Sequence, residues 1–290
     1  MQQKKNEMTI KERFEKMEKL YHCTSFDTAL KIVESNCLKF GRLSNLNDIH
    51  ENDKIVFVDS NKIPIDSVPT DVLDALHDEI YKYRQISLTA DNEKDDKDGF
   101  DLHQMWGLYA DKGEGVCLVF DKNELVKEFK SGILQKRVSY DEAVESYYIS
   151  LSNNANKVEI EIKEHADDIF FHKRIEWEHE QEYRLLQRCP LVTSEEYLQL
   201  GHALKFVILS SKLRNIDEVL YFKKIKDIKD MVERIGKARS IRDAETISVL
   251  VYGNGLFDYS LCTKDGEEEL WNSNNGYDVL AIGENCELAI

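Results

Sequence analysis

The chain has 290 residues, of which 42% are hydrophobic and 32% charged, and its formal net charge at pH 7 is -16. This composition indicates a folded protein with a sizeable core and excludes a disordered or collagen-like chain. The acidic surplus argues against non-specific nucleic-acid binding, because such a surface repels phosphates. The charged first segment and the lack of a long apolar run predict no signal peptide, no membrane partner and a cytoplasmic location, with the six cysteines reduced.

Short helices and strands alternate in the first half of the chain. The capping-box pattern at Thr9–Glu12 predicts an amphipathic helix, and Leu20–Cys23 predicts a strand that leads into a helix capped by Thr24 or Ser25. The pattern then predicts a strand at Ile55–Val58, a helix from Pro69, a strand at Ile86–Thr89, a short helix around Trp106 and a strand at Val116–Phe120.

The second half begins with a mostly helical pattern from Asp141 to about Lys173. Further strands are predicted at Glu180–Arg188, Leu204–Leu209 and Ile247–Tyr252, with a charged helix near 225–235. We find no repeat, no linker and no regular βαβ rhythm. The sequence therefore predicts one mixed α+β domain over residues 1–290.

Motifs for several common chemistries are missing. There is no GxGxxG turn, GxxxxGK[ST] loop or GxSxG elbow, and His179-Glu180 is not part of HExxH because position 183 is Tyr. The histidines are far apart, so no metal site is predicted. Glu161-Ile162-Lys163 matches the end of a nuclease-type motif, but its helical surroundings favour an exposed, salt-bridged face.

The strongest local signal is IEWEHEQEYRLL at residues 175–186. If this segment is a strand, Glu178, Glu180, Glu182 and Arg184 share one face. Crowded carboxylates raise the proton affinity of at least one acid, which is typical of functional sites. A solvated strand face, or a helix with a Glu180–Arg184 pair, remains the alternative.

Two weaker signals flank this one. In Tyr21–Ser25, a histidine near a strand end and two hydroxyls can bind a ribose or an amide, although such histidines are often structural. The aromatic side chains of Met105–Ala110 are more typical of a core than of a ligand platform.

Together these segments resemble a bacterial family of proteins of unknown function that is related to the ADP-ribosyltransferase superfamily. The resemblance runs from about residue 20 to 210, and residues 211–290 would complete or extend the domain. The segments that carry it are YHCTS (21–25), SNLNDIHE (44–51), ISLT (86–89), MWGLYADKGEGVCLVF (105–120) and WEHEQEYRLL (177–186). The resemblance implies an ADP-ribosyltransferase-like split antiparallel β-sandwich with flanking helices and NAD in the cleft between its sheets.

The resemblance also assigns NAD-binding residues. His22 matches the first-strand histidine that binds the adenosine ribose and the nicotinamide amide, and Thr24 would support it. Ser87 and Thr89 match the serine/threonine strand that braces the site. Tyr109 would stack on nicotinamide.

Two glutamates complete the implied site. Glu182 matches the catalytic glutamate, and Glu180 matches the upstream glutamate that handles the acceptor nucleophile. A leading histidine usually accompanies a single glutamate in that superfamily, so the mixed pattern leaves the type of acceptor open. Nicotinamide is itself the leaving group, so no metal is expected.

These expectations describe an NAD-consuming toxin or phage-defence effector that transfers ADP-ribose to a protein or nucleic acid. The net charge of -16 would favour a basic partner, such as an antitoxin, a partner subunit or a cationic target. Two alternatives stay open: an NAD glycohydrolase, with water as the acceptor, and a non-catalytic binding or regulatory module.

Overall fold

The computed structural model describes residues 8–43, 55–57, 68–141, 149–152, 154–210, 223–224, 226–228, 230, 247–253, 262–263, 269–272, 278–282 and 287–288. The motif SNLNDIHE (44–51) and most of the helix predicted near 225–235 lie outside these residues. The described part is a mixed α/β structure with mostly antiparallel strand pairing.

The first two helices begin where the sequence supplies caps. Thr9 Oγ1 accepts a hydrogen bond from the Glu12 amide (3.1 Å), and the Glu12 carboxylate accepts one from the Thr9 amide (3.0 Å). Ser25 caps the second helix through the Thr28 amide (3.2 Å). The α-helices are α1 (Ile10–Lys16), α2 (Phe26–Ser35), α3 (Thr70–Ile80), α4 (His103–Tyr109), α5 (Lys122–Lys127), α6 (Val158–Glu164) and α7 (Ala166–Phe170). Short 3₁₀ helices occupy Gly99–Asp101, Asp111–Gly113 and Ile175–Glu180.

The strands are short, and the longest has eight residues. They are β1 (Lys19–Thr24), β2 (Cys37–Lys39), β3 (Gly41–Arg42), β4 (Ile55–Phe57), β5 (Tyr83–Ala90), β6 (Val116–Asp121), β7 (Ile133–Arg137), β8 (Ser139–Asp141), β9 (Ile149–Leu151), β10 (His172–Arg174), β11 (Glu182–Arg188), β12 (Tyr197–Gln199), β13 (Leu204–Ser210), β14 (Ser248–Gly253), β15 (Cys262–Thr263), β16 (Glu269–Asn272), β17 (Asp278–Ile282) and β18 (Glu287–Leu288).

The first of two compact units combines Met1–Cys37, Thr89–Glu128 and Gln199–Ile290. Its sheet has the order β16-β17-β14-β13-β6-β1, and β1 also pairs with the last two residues of β5. Strands β13 and β14 run parallel, and the other pairs are antiparallel. Aromatic and aliphatic side chains from α1, β1, α4, β6 and β13 form its core, including Phe14, Tyr21, Phe100, Trp106 and Phe206.

The second unit combines Leu38–Leu88 and Phe129–Leu198. The main part of β5 lies between β3 and β11, and β11 pairs antiparallel with β7. Helices α3, α6 and α7 supply one core, in which Val72, Ile162, Phe170 and Phe171 pack with Tyr83 and Leu186. The order of elements in this unit places β10, the third 3₁₀ helix and β11 in direct succession.

Two sequence-based expectations are wrong in detail. The predicted strand at 180–188 begins only at Glu182, because residues Ile175–Glu180 form a 3₁₀ helix that ends at Gln181 in the left-handed conformation (φ 46°). The helical pattern from Asp141 to Lys173 also contains strand β9 ahead of α6 and α7. Among the described residues, no helix is long and apolar enough to cross a bilayer.

Candidate functional site

The acidic segment singled out by its sequence folds around one lysine of the second unit. Strand β10 carries Lys173, the 3₁₀ helix then carries Trp177 and Glu180, and β11 opens with Glu182. Gln181 has a left-handed backbone, which bends the chain between the two glutamates. Glu180 and Glu182 therefore approach the same ammonium group from two different elements.

Four buried charged residues form what we call the ionic cluster: Lys173, Glu180, Glu182 and Arg184. Each is between 1% and 6% exposed. Lys173 Nζ lies 2.7 Å from Glu180 Oε2 and 3.0 Å from Glu182 Oε2. Arg184 holds Glu182 bidentately, with Nε donating to Oε1 and the terminal nitrogen to Oε2, both at 2.8 Å. Two carboxylates face two cations, so the formal charges cancel.

The pKa of Glu182 is shifted downward, whereas crowding of acidic groups shifts a pKa upward. Burial raises the pKa of this carboxyl, but the charges of Arg184 and Lys173, with hydrogen bonds from Arg184 and Ser87, bring it well below the ordinary range. Glu182 is therefore not an acid whose proton affinity is raised by crowding. The Glu182 carboxylate is therefore ionised at neutral pH.

The neighbouring strands add hydroxyl groups. Tyr140 on β8 accepts a hydrogen bond from the Glu182 amide (2.8 Å), and burial raises the pKa of its phenol. Ser87 on β5 hydrogen-bonds the Glu182 carboxylate and is exposed to solvent. Gln85 Nε2 donates to Ser87 Oγ (3.0 Å), while the Gln85 Oε1 atom is buried and finds no hydrogen-bond partner within the described structure. The structure thus joins Ser87, Glu180 and Glu182, three of the predicted site residues.

The remaining predicted residues belong to the first unit, where the sheet separates them. Tyr21 is directly opposite Thr89 in the β1–β5 pairing, so Thr89 lies on the face of Tyr21. His22 and Thr24 alternate onto the other face of β1, opposite Leu118 and Val116 of β6. The side chains of Thr89 and His22 therefore leave the sheet in opposite directions, and the roles assigned to them stay predictions.

Tyr109 belongs to the core rather than to an open surface. It is half-buried and packs against the hydrophobic cluster that contains Tyr21, Met105 and Trp106. This position agrees with the alternative that the aromatics of Met105–Ala110 are core residues. Its proposed stacking on nicotinamide stays a prediction.

Sequence reasoning missed Lys173, which contacts more of the acidic motif than any predicted residue does. Its ammonium meets both glutamates and also lies 5.2 Å from the centre of the Trp177 ring. Lys173 stands in a charged stretch, HKRIEWE, where nothing local distinguishes it from a solvated lysine. Only the fold shows which cation neutralises the motif.

Metal ligation has no support in the described ranges, where no group of three or more His, Cys, Asp or Glu side chains could hold an ion. No curated protein and no solved structure gives a significant match to the chain. Residues 105–185 match the model of the family described as "Protein of unknown function (DUF2971)". This interval, which begins in α4 and ends in β11, includes all four residues of the ionic cluster. Over these residues the chain is similar to a family whose function its description leaves open.

Proposed function

We propose that the protein is an NAD-consuming ADP-ribosyltransferase with Glu182 as its catalytic carboxylate. The observation that carries this proposal is a buried carboxylate, held by Arg184 and Lys173 and hydrogen-bonded to Ser87, a residue exposed to solvent. The mostly antiparallel pairing of the described strands is compatible with the split β-sandwich of that superfamily, which we propose as the finer description of the fold.

The chemistry needs a fixed negative charge. Cleavage of the bond between nicotinamide and ribose builds positive charge on the sugar carbon, as in glycoside hydrolysis. A carboxylate that cannot be protonated stabilises that charge electrostatically, and in a site of low dielectric its effect is strong. A depressed pKa makes Glu182 a weak base, so its role is electrostatic rather than proton transfer.

The occupied lone pairs of Glu182 indicate where a substrate would enter. A carboxylate accepts about four hydrogen bonds. Arg184 supplies two, Ser87 supplies a further one, and the Lys173 ammonium lies 3.0 Å from Oε2 as an ion pair. Of these three donor residues Ser87 alone is exposed, so a ribose hydroxyl would reach Glu182 by replacing the Ser87 hydroxyl.

A buried acceptor beside Ser87 also favours a ligand with donor groups. Leaving Gln85 Oε1 without a partner costs about 1–3 kcal/mol. An amide or hydroxyl donor from a bound molecule would recover part of this energy. Both a ribose diol and the nicotinamide carboxamide carry such donors.

The test is release of nicotinamide from NAD by the purified protein, with and without a bacterial lysate as the source of acceptor. We expect the wild type to release nicotinamide and Glu182→Gln to lose about 10²–10³-fold of that rate. Glu176→Gln, which changes an exposed acid of the same 3₁₀ helix, is the matched control and should behave as the wild type. Absence of nicotinamide under every condition, or equal rates in the wild type and Glu182→Gln, would refute the proposal.

The products identify the acceptor. Free ADP-ribose in mass spectra would indicate the NAD glycohydrolase alternative, and ADP-ribose attached to a macromolecule would indicate transfer. His22→Ala and Thr24→Ala test the assignments carried by the resemblance in the first unit. If NAD binding is unchanged in both variants, these residues have no part in the site.

A second candidate, a non-catalytic binding module, is favoured by the completeness of the ionic cluster. All four side chains are paired with one another and their charges cancel, as expected of a purely structural network. Titration calorimetry with NAD separates the two candidates. A module that does not use NAD would show no heat of binding, and the proposed enzyme would show saturable binding that Ser87→Ala alters.

A further inference from the structure

Lys173 occupies the centre of the acidic motif. It is a buried lysine on the three-residue strand β10, which pairs in parallel with β8. Burying an ammonium group without compensation is costly, so a lysine in this position requires partners. Its partners are the carboxylates of Glu180 and Glu182, and the ring of Trp177 lies beside it.

These contacts connect three positions that are spaced along the motif W-x-x-E-x-E-x-R. Trp177 and Glu180 lie on the 3₁₀ helix, and Glu182 lies on β11. Arg184, the fourth position, holds Glu182 bidentately and also donates a hydrogen bond to the carbonyl of Phe170. Through its two carboxylate contacts, Lys173 ties the 3₁₀ helix to the start of the strand.

We infer that Lys173 is a positioning residue, which holds Glu182 ionised and in place by bridging it to Glu180. A role of Lys173 in catalysis rests on the proposed function. Its effect on the position and charge of Glu182 concerns only the ionic cluster. Glu180 has a different role from the one that the resemblance assigns, because its carboxylate is directed to Lys173 inside the protein. It would anchor the lysine rather than activate an acceptor.

The charged and titratable groups that face Glu182 come from several elements. Arg184 lies on the same strand, Lys173 on β10, Glu180 on the 3₁₀ helix and Tyr140 on β8. If Lys173 is removed, the two buried carboxylates of the ionic cluster are left with one cation of that cluster, Arg184. Loss of a nearby positive charge raises the pKa of a carboxyl group, and loss of a bridging donor releases the helix from the strand.

The first measurement follows the carboxyl groups by ¹³C NMR of protein labelled at the glutamate carboxyl carbon, with Glu182 assigned through Glu182→Gln. In the wild type the Glu182 signal should not titrate between pH 7 and pH 4. In Lys173→Met its midpoint should move upward by about one pH unit or more. Lys173→Arg should restore the wild-type behaviour, because arginine also carries a positive charge and several donors. Lys163→Met, which removes an exposed lysine of α6, is the control.

A titration that is the same in Lys173→Met as in the wild type would overturn the inference. If Lys173→Met does not fold, Lys173→Met/Glu180→Gln takes its place, because one charge of each sign is then removed. Glu182 still loses its direct contact with the ammonium, so an upward displacement is expected, smaller than in Lys173→Met because the negative charge of Glu180 is also removed. An unchanged midpoint in this variant would overturn the inference equally.

The second measurement is the pH profile of nicotinamide release. Activity that depends on an ionised Glu182 should be lost at a higher pH in Lys173→Met than in the wild type, and Lys173→Arg should reverse the displacement. A wild type without activity would refute the proposed function and leave the NMR result to decide the role of Lys173. An active wild type whose acid limb is unaffected by Lys173→Met would refute the inference and leave the proposed function standing.

Discussion

Replacing Arg184 with methionine tests the energetics of the ionic cluster most directly. Arg184 makes a bidentate pair with Glu182 and donates a further hydrogen bond to the carbonyl of Phe170. Methionine keeps much of the side-chain volume but leaves the Glu182 carboxylate with one cation fewer. Removing one partner of a buried pair costs about 3–5 kcal/mol, so we expect the free energy of unfolding at pH 7 to fall by that amount.

The loss should depend on pH in a defined direction. The folded-state pKa of Glu182 lies below its value of about 4.3 in the unfolded chain. Its contribution to stability is therefore present above that value and disappears as the pH falls toward the folded-state pKa. Since Arg184→Met weakens this contribution, the difference from the wild type should be largest at neutral pH and should shrink below about pH 4.

Urea denaturation followed by far-UV circular dichroism at several pH values measures both effects. Lys136→Met is the control, because Lys136 forms an exposed ion pair with Asp167 (3.1 Å) and its loss should cost less than about 1 kcal/mol. A decrease below about 1 kcal/mol for Arg184→Met, or a decrease that stays constant from pH 7 to pH 3, would contradict the reasoning.

Other predictions concern the first unit. A Cβ atom at Gly99 would lie 2.4 Å from the Tyr21 ring, so Gly99→Ala should lower stability by about 1–3 kcal/mol in thermal unfolding. At Gly107, within α4, no atom lies within 4 Å of the added Cβ, and Gly107→Ala should raise stability by about 0.5–1 kcal/mol. Equal effects of the two substitutions would contradict the packing argument. Burial and a hydrogen bond with Cys23 raise the pKa of the Cys117 thiol, so iodoacetamide should label the half-buried Cys37 faster. Mass mapping that finds Cys117 labelled first would refute this.

Local structure was predictable where a short pattern carries its own physical cause. The Thr9 capping box, the Ser25 cap and the apolar strand at Val116–Phe120 all occur in the structure within a residue or two of the expected bounds. Each depends on side chains and amides a few positions apart. Such interactions form in the same way whatever the rest of the chain does.

The acidic segment shows where local patterns fail. Alternation of side chains predicts one continuous strand, but β11 begins only after Gln181. The preceding residues form a 3₁₀ helix whose Glu180 contacts Lys173. The lowered pKa of Glu182 was not predicted for the same reason. Three acids are visible in the sequence, while the lysine that neutralises them comes from another strand.

The structure brings three of the predicted site residues together. Ser87, Glu180 and Glu182 meet in one cluster, in which Glu180 contacts a lysine, and their roles in a site stay predictions. The strand pairing that places Thr89 opposite Tyr21 could not be read from the sequence, because alternation alone does not tell which face of one strand matches which face of the next.

The left-handed backbone of Gln181 sets a rule for which amino acids this position accepts. Glycine adopts that conformation freely, and asparagine and aspartate do so at little cost, but β-branched side chains do not. A library of variants at residue 181 should therefore be depleted of valine, isoleucine and threonine regardless of their hydrophobicity. The middle residue of the Glu-x-Glu pair is thus constrained by its torsion angles, even though its own side chain contacts neither carboxylate in the bonds described for it.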